Sequence, residues 1–339
     1  MLETIIIESV KVVVVMSAAL TCVAYATYME RKVLGHLQHR MGPTMAGPFG
    51  LLQPIADAVK LIFKEDIKPA NAESWSYMLA PIISFVPALL TFAVIPFSSD
   101  FTLFGREIKG VISDLDIGIL FVFAITSLGV YGIILAGWSS GSKYSLLGGI
   151  RSSAQMISYE ISYGLSIIGV IILASTLSMT ELVELQGSDS VLFFQNWYVF
   201  KQPLGFLLYL TCAIAETNRA PFDMVEAESE LVGGYHTEYS SMRFASFFIG
   251  EYANMLGVAC VGATLFFGGW QGPILPPPVW FLIKVFFFMF FYIWLRATFP
   301  RFRYDQLMSF GWKVLFPLAI LNTMLTALYV VWLRDIIWG

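Results

Sequence analysis

Between residues 216 and 238 the chain places six carboxylates, Glu216, Asp223, Glu226, Glu228, Glu230 and Glu238, together with one cation, Arg219. Long apolar runs flank this stretch, in a chain of 339 residues that is 57% hydrophobic and has only 24 acidic side chains. An ionised carboxylate beside hydrocarbon is costly, so acids gathered there point to proton chemistry. If residues 223–231 coil, Asp223, Glu226 and Glu230 fall on one helix face. Carboxylates that close oppose one another's ionisation, which is how a group of acids comes to hold and release protons near neutral pH. Arg219, four residues before Asp223, can hold one of them charged if the turn is helical. The plain alternative is a solvated acidic loop. Pro221, rigid in the middle of the stretch, and the apolar walls favour the first reading.

Two further acids lie inside apolar segments. Glu160, in Ala154-Gln-Met-Ile-Ser-Tyr-Glu-Ile-Ser-Tyr-Gly164, stands about 9 Å along its helix, where Ser158, Tyr159 and Tyr163 are spaced to hydrogen-bond around it. Glu251 follows Arg243 by eight residues, or about 12 Å. Carboxylates at that depth are candidates for function by default. Glu8 and Lys11, spaced to pair on one face, and Lys284, near a helix end, read instead as snorkelling side chains.

The elements that must position these acids are helices in a membrane. Mean hydropathy is +0.73, only 13% of residues are charged, the net charge is −4, and there are 29 Phe. A span needs about 20 apolar residues. Eight segments qualify as candidates: 4–28, 77–97, 117–138, 154–175, 202–216, 242–268, 279–298 and 312–333. The segment 202–216 is short for the task. Residues 51–63 repeat apolar side chains at helical spacing against Gln53, Asp57, Lys60 and Lys64; they predict an amphipathic helix lying in the interface. Residues 98–116 alternate around Gly105 and Gly110, as in a short hairpin. The expected fold is therefore an all-α membrane protein, one domain over 1–339, with about eight transmembrane helices and one interfacial helix.

Basic residues set the expected orientation. The odd-numbered loops hold Arg31, Lys32, Arg40, Lys60, Lys64, Lys68, Lys143, Arg151, Arg219, Arg243, Arg296, Arg301, Arg303 and Lys313, and the even loops only Arg106, Lys109 and Lys201. The bias puts the odd loops inside and both termini outside. Trp312, Phe302, Tyr304 and Tyr235, set among several Arg on those inner loops, have the composition of a protein interface. Cys22, Cys212 and Cys260 lack C-x-x-C spacing, and His36, His39 and His236 form no metal-ligand pattern. With no glycine-rich phosphate loop after a strand, no flavin, iron–sulfur cluster or metal is expected in this chain, and no nucleic-acid partner.

Several long motifs carry a resemblance. Glu30-Arg-Lys with Arg40-Met-Gly-Pro43, Gly50-Leu-Leu-Gln-Pro-Ile-Ala-Asp57, Glu216-Thr-Asn-Arg-Ala-Pro-Phe-Asp223 with Glu226-Ala-Glu-Ser-Glu-Leu-Val232, and Arg303-Tyr-Asp-Gln-Leu-Met308 with Gly311-Trp-Lys313 resemble the H subunits of the bacterial NADH-quinone oxidoreductases. That family supplies the membrane subunit of respiratory complex I that meets the peripheral arm. The resemblance implies a multi-pass protein of the bacterial inner membrane and a quinone substrate. The partners it implies are the peripheral-arm quinone module, at inner loops one, five and seven, the small membrane-arm subunits and lipid. It implies a quinone-access chamber drawing on Glu30, Arg31, Arg40, Gln53, Asp57, Val59, Lys60, Arg219, Phe222 and Arg296. It also implies a proton path through Glu160, Glu216, Asp223, Glu226, Glu228, Glu230 and Glu251. Thr44-Met45 and His36 depart from the family pattern and remove positive charge beside the implied quinone entrance; Met224-Val225 replaces the more usual Leu-Pro after Phe-Asp.

Two other readings stand beside it. A stand-alone ion transporter could use Glu160, Glu216 and Glu251, although no inverted repeat is evident. The homologous anchor of a membrane-bound hydrogenase, or of a related dehydrogenase with another electron donor, would place a redox partner on the same inner loops.

Overall fold

The computed structural model describes residues 2–103, 105–187, 194, 196–223 and 233–333. The described residues are mostly helical. The order is α1 (Leu2–Leu37), α2 (Gln53–Phe63), α3 (Ser74–Leu90), α4 (Gly118–Ser139), α5 (Lys143–Ala174), α6 (Met179–Leu185), α7 (Tyr198–Lys201), α8 (Pro203–Glu216), α9 (Ser241–Phe266), α10 (Pro277–Thr298), α11 (Tyr304–Phe310) and α12 (Phe316–Leu328). The expected hairpin pairs β1 (Phe101–Leu103) antiparallel to β2 (Arg106–Ile108), with Phe101 opposite Ile108.

Among the described residues seven helices are long and apolar enough to cross a bilayer: Ile5–Leu37, Ser74–Ala93, Gly118–Ser139, Lys143–Ala174, Ser241–Phe266, Pro277–Thr298 and Tyr304–Trp332. The other expected span is shorter. Its 14 residues in α8 give about 21 Å against a hydrocarbon thickness of about 30 Å. The chain before it does turn helically as α7, but Gln202, at φ −135°, breaks the run before Pro203. Glu216, the last residue of this short helix, is thereby drawn into the protein interior and is 5% exposed.

The packing is inverted relative to a water-soluble bundle. Large apolar side chains face outward: Val13 and Val14 on α1, Phe286 and Phe287 on α10, Met324 and Leu325 on α12. The buried face of α5 is rich in small and polar residues instead: Ser145, Gly148, Ser152, Gln155, Ser162, Ser166 and Gly169 share it with Tyr159 and Tyr163. Small side chains let helices approach closely where lipid offers no hydrophobic drive between them. Helix α5 accordingly lies at the centre, against α4, α8 and α12, while α9 packs on α3 and α10, and α1 on α9 and α10. At Gly148 the approach is extreme. An added Cβ would stand 2.8 Å from Gly234 Cα and 2.9 Å from Tyr235 N, so α5 fixes the loop that leads into α9.

The interfacial helix forms as expected. Leu51, Leu52, Ile55, Val59 and Ile62 are all exposed along one stripe, and Ser241 Oγ donates to Leu61 O at 2.9 Å to hold α2 against the start of α9. Glu8 and Lys11 pair at 2.7 Å.

Candidate functional site

Where α1 ends, its last acid is buried. Glu30 is 5% exposed and is held by three groups from three other segments. Arg219 Nη1, from the loop after α8, lies 3.2 Å from Glu30 Oε1. Tyr252 OH, on α9, donates to Oε2 at 2.6 Å. Arg296, near the end of α10, pairs with the same carboxylate. Two cations and a hydroxyl around one buried carboxylate satisfy the rule that interior charge must be paired.

Arg219 continues the network. Its Nε lies 2.7 Å from Glu251 Oε1, and its guanidinium stacks 4.3 Å from the Tyr252 ring centroid, a cation–π contact. Helical spacing suggests Arg219 as the partner of Asp223. Asp223 pairs instead with Arg301 Nη2 at 2.7 Å, because residues 217–223 form a tight turn rather than a helix. Asn218 there takes φ 51°, a left-handed conformation that Asn tolerates. Gln155 pins the turn from α5, its Nε2 donating at 2.8 Å to both Ala215 O and Phe222 O. The Phe222 ring stacks on Phe302 and Phe310, at 5.6 and 6.4 Å.

Two cavities flank this cluster. The larger, about 420 Å³, is lined by Thr27, Glu30, Arg31, Leu34, Gln38, Phe248, Tyr252, Arg296 and Ala297. The smaller, about 40 Å³, is lined by Glu216, Thr217, Asn218, Glu251 and Asn254 with residues of α3, α4 and α5; it has room for about two or three waters. Glu30 borders the first, Glu251 borders the second, and Arg219 spans between them.

Glu216 is buried with Oε2 unpaired and lies within electrostatic reach of Glu160, which sits beside Ser127 of α4. The side chains expected to serve Glu160 are engaged elsewhere: Tyr159 OH donates to Leu307 O, Tyr163 OH to Tyr209 OH and Ser158 Oγ to Ala154 O. Their positions on α5 point them into the bundle core, away from the acid.

The loop-one residues divide. Arg31 lines the large cavity and pairs with Asp57 Oδ2 at 2.5 Å. Gln53 Nε2 steadies the other oxygen of Asp57 at 3.0 Å. Arg40, Val59 and Lys60 are exposed and outside the lining. Glu226, Glu228 and Glu230 lie outside the described residues. Outside the spans, burial holds the His236 imidazole down at about 4, with Asp223 opposing. Among the described residues no three His, Cys, Asp or Glu side chains gather as metal ligands.

Sequence reasoning missed Tyr252 and Gln155. Tyr252 adjoins Glu251, so the signal was a hydroxyl beside an intramembrane acid. Gln155 was one polar residue among several on α5.

Fold and site define a multi-pass α-helical membrane protein that buries a carboxylate–arginine cluster between two cavities. A family model described as NADH dehydrogenase matches residues 10–327. Similar chains include the second H subunit of NADH-quinone oxidoreductase from Geobacter metallireducens, 53% identical over 332 residues, 94% of each chain. The H subunit of Thermomicrobium roseum is 53% identical over 322 residues, 94% of each chain. That of Syntrophotalea carbinolica is 51% identical over 331 residues, 98% of each chain. The chain belongs to the NADH dehydrogenase family, among the H subunits of NADH-quinone oxidoreductase.

Proposed function

We propose that this chain forms the membrane side of the quinone chamber of a proton-pumping NADH-quinone oxidoreductase and starts the proton path into its membrane arm. The observation that carries the reading is the seat of Arg219 between Glu30 and Glu251. The 420 Å³ cavity is within the size range of ligand pockets, and its mixed apolar and cationic lining suits a quinone with a carbonyl headgroup and an isoprenoid tail. Its open side would be closed by the peripheral arm, which delivers the electrons.

Reducing a quinone to a quinol takes up two electrons and two protons, so charge in the chamber changes during turnover. Glu30, Arg31 and Arg296 border that charge directly. A change in the field at Glu30 shifts how firmly Arg219 is held there, and so alters its hold on Glu251 at the other end of the guanidinium. Glu251, Glu216 and Glu160 then exchange protons as a coupled set, through water in the small cavity. Arg301, Arg303, Phe302 and Trp312 supply the cationic and aromatic surface expected of a docking face. Tyr235 is buried and serves the fold instead. The positive-inside bias supports a cytoplasmic position for this face, with the helices in a bacterial inner membrane.

A quinone carrying a photoreactive group tests the assignment in the intact complex. Labelling within residues 27–38 and 248–252, suppressed by excess native quinone, is the expected result. Suppressible labelling confined to other subunits would contradict it.

A further inference from the structure

On the side of the bundle away from the large cavity stands a buried cation, Lys284. It lies on α10, about three turns from Arg296. Its place in the sequence predicts a snorkelling side chain, yet it is only 7% exposed. Its Nζ donates to Phe267 O at 2.7 Å, Gly269 O at 2.8 Å and Gln271 O at 2.7 Å, and stands 4.6 Å from the Trp197 ring centroid. Three carbonyls around one nitrogen match the three donors of an ammonium group. Among the described residues no carboxylate lies within ion-pair distance of it. The carbonyls follow the C-terminus of α9, whose partial negative charge favours a cation. Gly268 and Gly269, at φ 68° and 50°, turn the chain to present them.

Between Glu216 and Lys284 tyrosines come first and aromatic rings follow. Tyr163, Tyr209 and Tyr292 lie within electrostatic reach of Glu216. Tyr163 OH donates to Tyr209 OH at 3.3 Å, and Tyr209 OH to Val258 O at 2.7 Å. Beyond this, rings take over. Phe266 is 5.1 Å from Tyr209, Phe206 is 5.4 Å from Phe266, and Phe267 is 5.3 Å from Phe206 and 5.7 Å from Trp197. These rings end at the lysine cage.

We infer that Lys284 and the aromatic cluster beneath it seal the far side of the carboxylate route, so that protons reaching Glu216 pass sideways rather than straight across the membrane. A fixed cation with no counter-charge among the described residues, set in a low-dielectric wall, repels a proton, much as positive groups exclude protons from water-conducting pores. The phenyl rings themselves offer no hydrogen-bonding group.

The inference rests on the proposed proton route, and the test separates the two. The intact complex is reconstituted in liposomes, and passive proton flux under an imposed pH gradient is measured without turnover. Lys284→Met should leak protons several-fold faster than the unaltered complex, Lys284→Arg should stay tight, and Glu216→Gln added to Lys284→Met should restore tightness. If Lys284→Met fails to assemble, Lys284→Gln, uncharged but still a donor to the carbonyls, is read in its place. A tight uncharged variant overturns the seal while leaving the route intact, provided Glu216→Gln alone still abolishes pumping. A leak that persists in the double variant overturns it too, because protons then cross through a loosened fold. Normal pumping by Glu216→Gln alone removes the route and the seal together.

Discussion

Arg219 joins Glu30 to Glu251, its Nη1 3.2 Å from the first carboxylate and its Nε 2.7 Å from the second. One side chain thus connects an acid on the wall of the large cavity with an acid on the wall of the small one. Arg219→Met should leave two carboxylates partly unpaired in the interior, at a cost of about 3–5 kcal/mol for a buried pair broken on one side. Arg219→Lys keeps the charge but loses the planar fork that reaches both acids. Thermal unfolding of the purified complex should rank the unaltered protein above the Lys variant and that above Met. Quinone-linked pumping should be lost in both. Full pumping in Arg219→Met would remove the link between the cavities.

Tyr252→Phe deletes one hydroxyl and keeps the ring under Arg219. A hydrogen bond to a charged group contributes about 1.5–3 kcal/mol, so Glu30 should be held less firmly at one oxygen. The expected outcome is a normally assembled complex with altered kcat or KM for quinone. Unchanged quinone kinetics would make Tyr252 a packing residue.

The helices were legible because hydrophobic length is written directly in the sequence, and the acids themselves were legible because charged groups are rare in apolar runs. Which partner each charge takes was not. Arg219 and Asp223 are four residues apart, and spacing alone pairs them; the turn at Asn218 and Pro221 sends them to opposite neighbours, Glu251 and Arg301. Lys284 escapes a sequence reading for a related reason. Its cage is made of backbone carbonyls from another helix end, and carbonyls leave no mark in a sequence. The exposure of Val59 and Lys60 likewise depends on how α2 is rolled against α9.

Gly148 offers a steric test of loop placement. Valine there would drive its branched side chain into the backbone of Gly234 and Tyr235, whose atoms stand only 2.8–2.9 Å from where a Cβ would sit, and must push the loop away from α5. Protease cleavage between residues 224 and 240 should rise, and assembly should fall. Equal cleavage in both proteins would contradict the tight contact.

His236 gives the loop a pH dependence. Its imidazole titrates at about 4 rather than the ordinary 6.5, so between those values the unfolded segment binds a proton that the folded one refuses. Stability therefore rises with pH across this window and is lost as pH falls from 6.5 towards 4. Hydrogen exchange of residues 233–240 should accelerate on acidification, and His236→Phe should blunt the change. An identical acid response in the variant would place the sensitive group elsewhere.

The proposed proton route runs through Glu216, which is buried at the end of a helix too short to span and within reach of Glu160. The most direct measurement is proton translocation per electron in liposomes holding the complex with Glu216→Gln, an exchange that keeps shape and hydrogen bonding and removes the ionisable group. An assembled complex that has lost most quinone-linked turnover and its proton translocation together is the predicted result. Full turnover with an intact proton gradient in this variant, and likewise in Glu160→Gln, would contradict it and leave these carboxylates with a structural role alone.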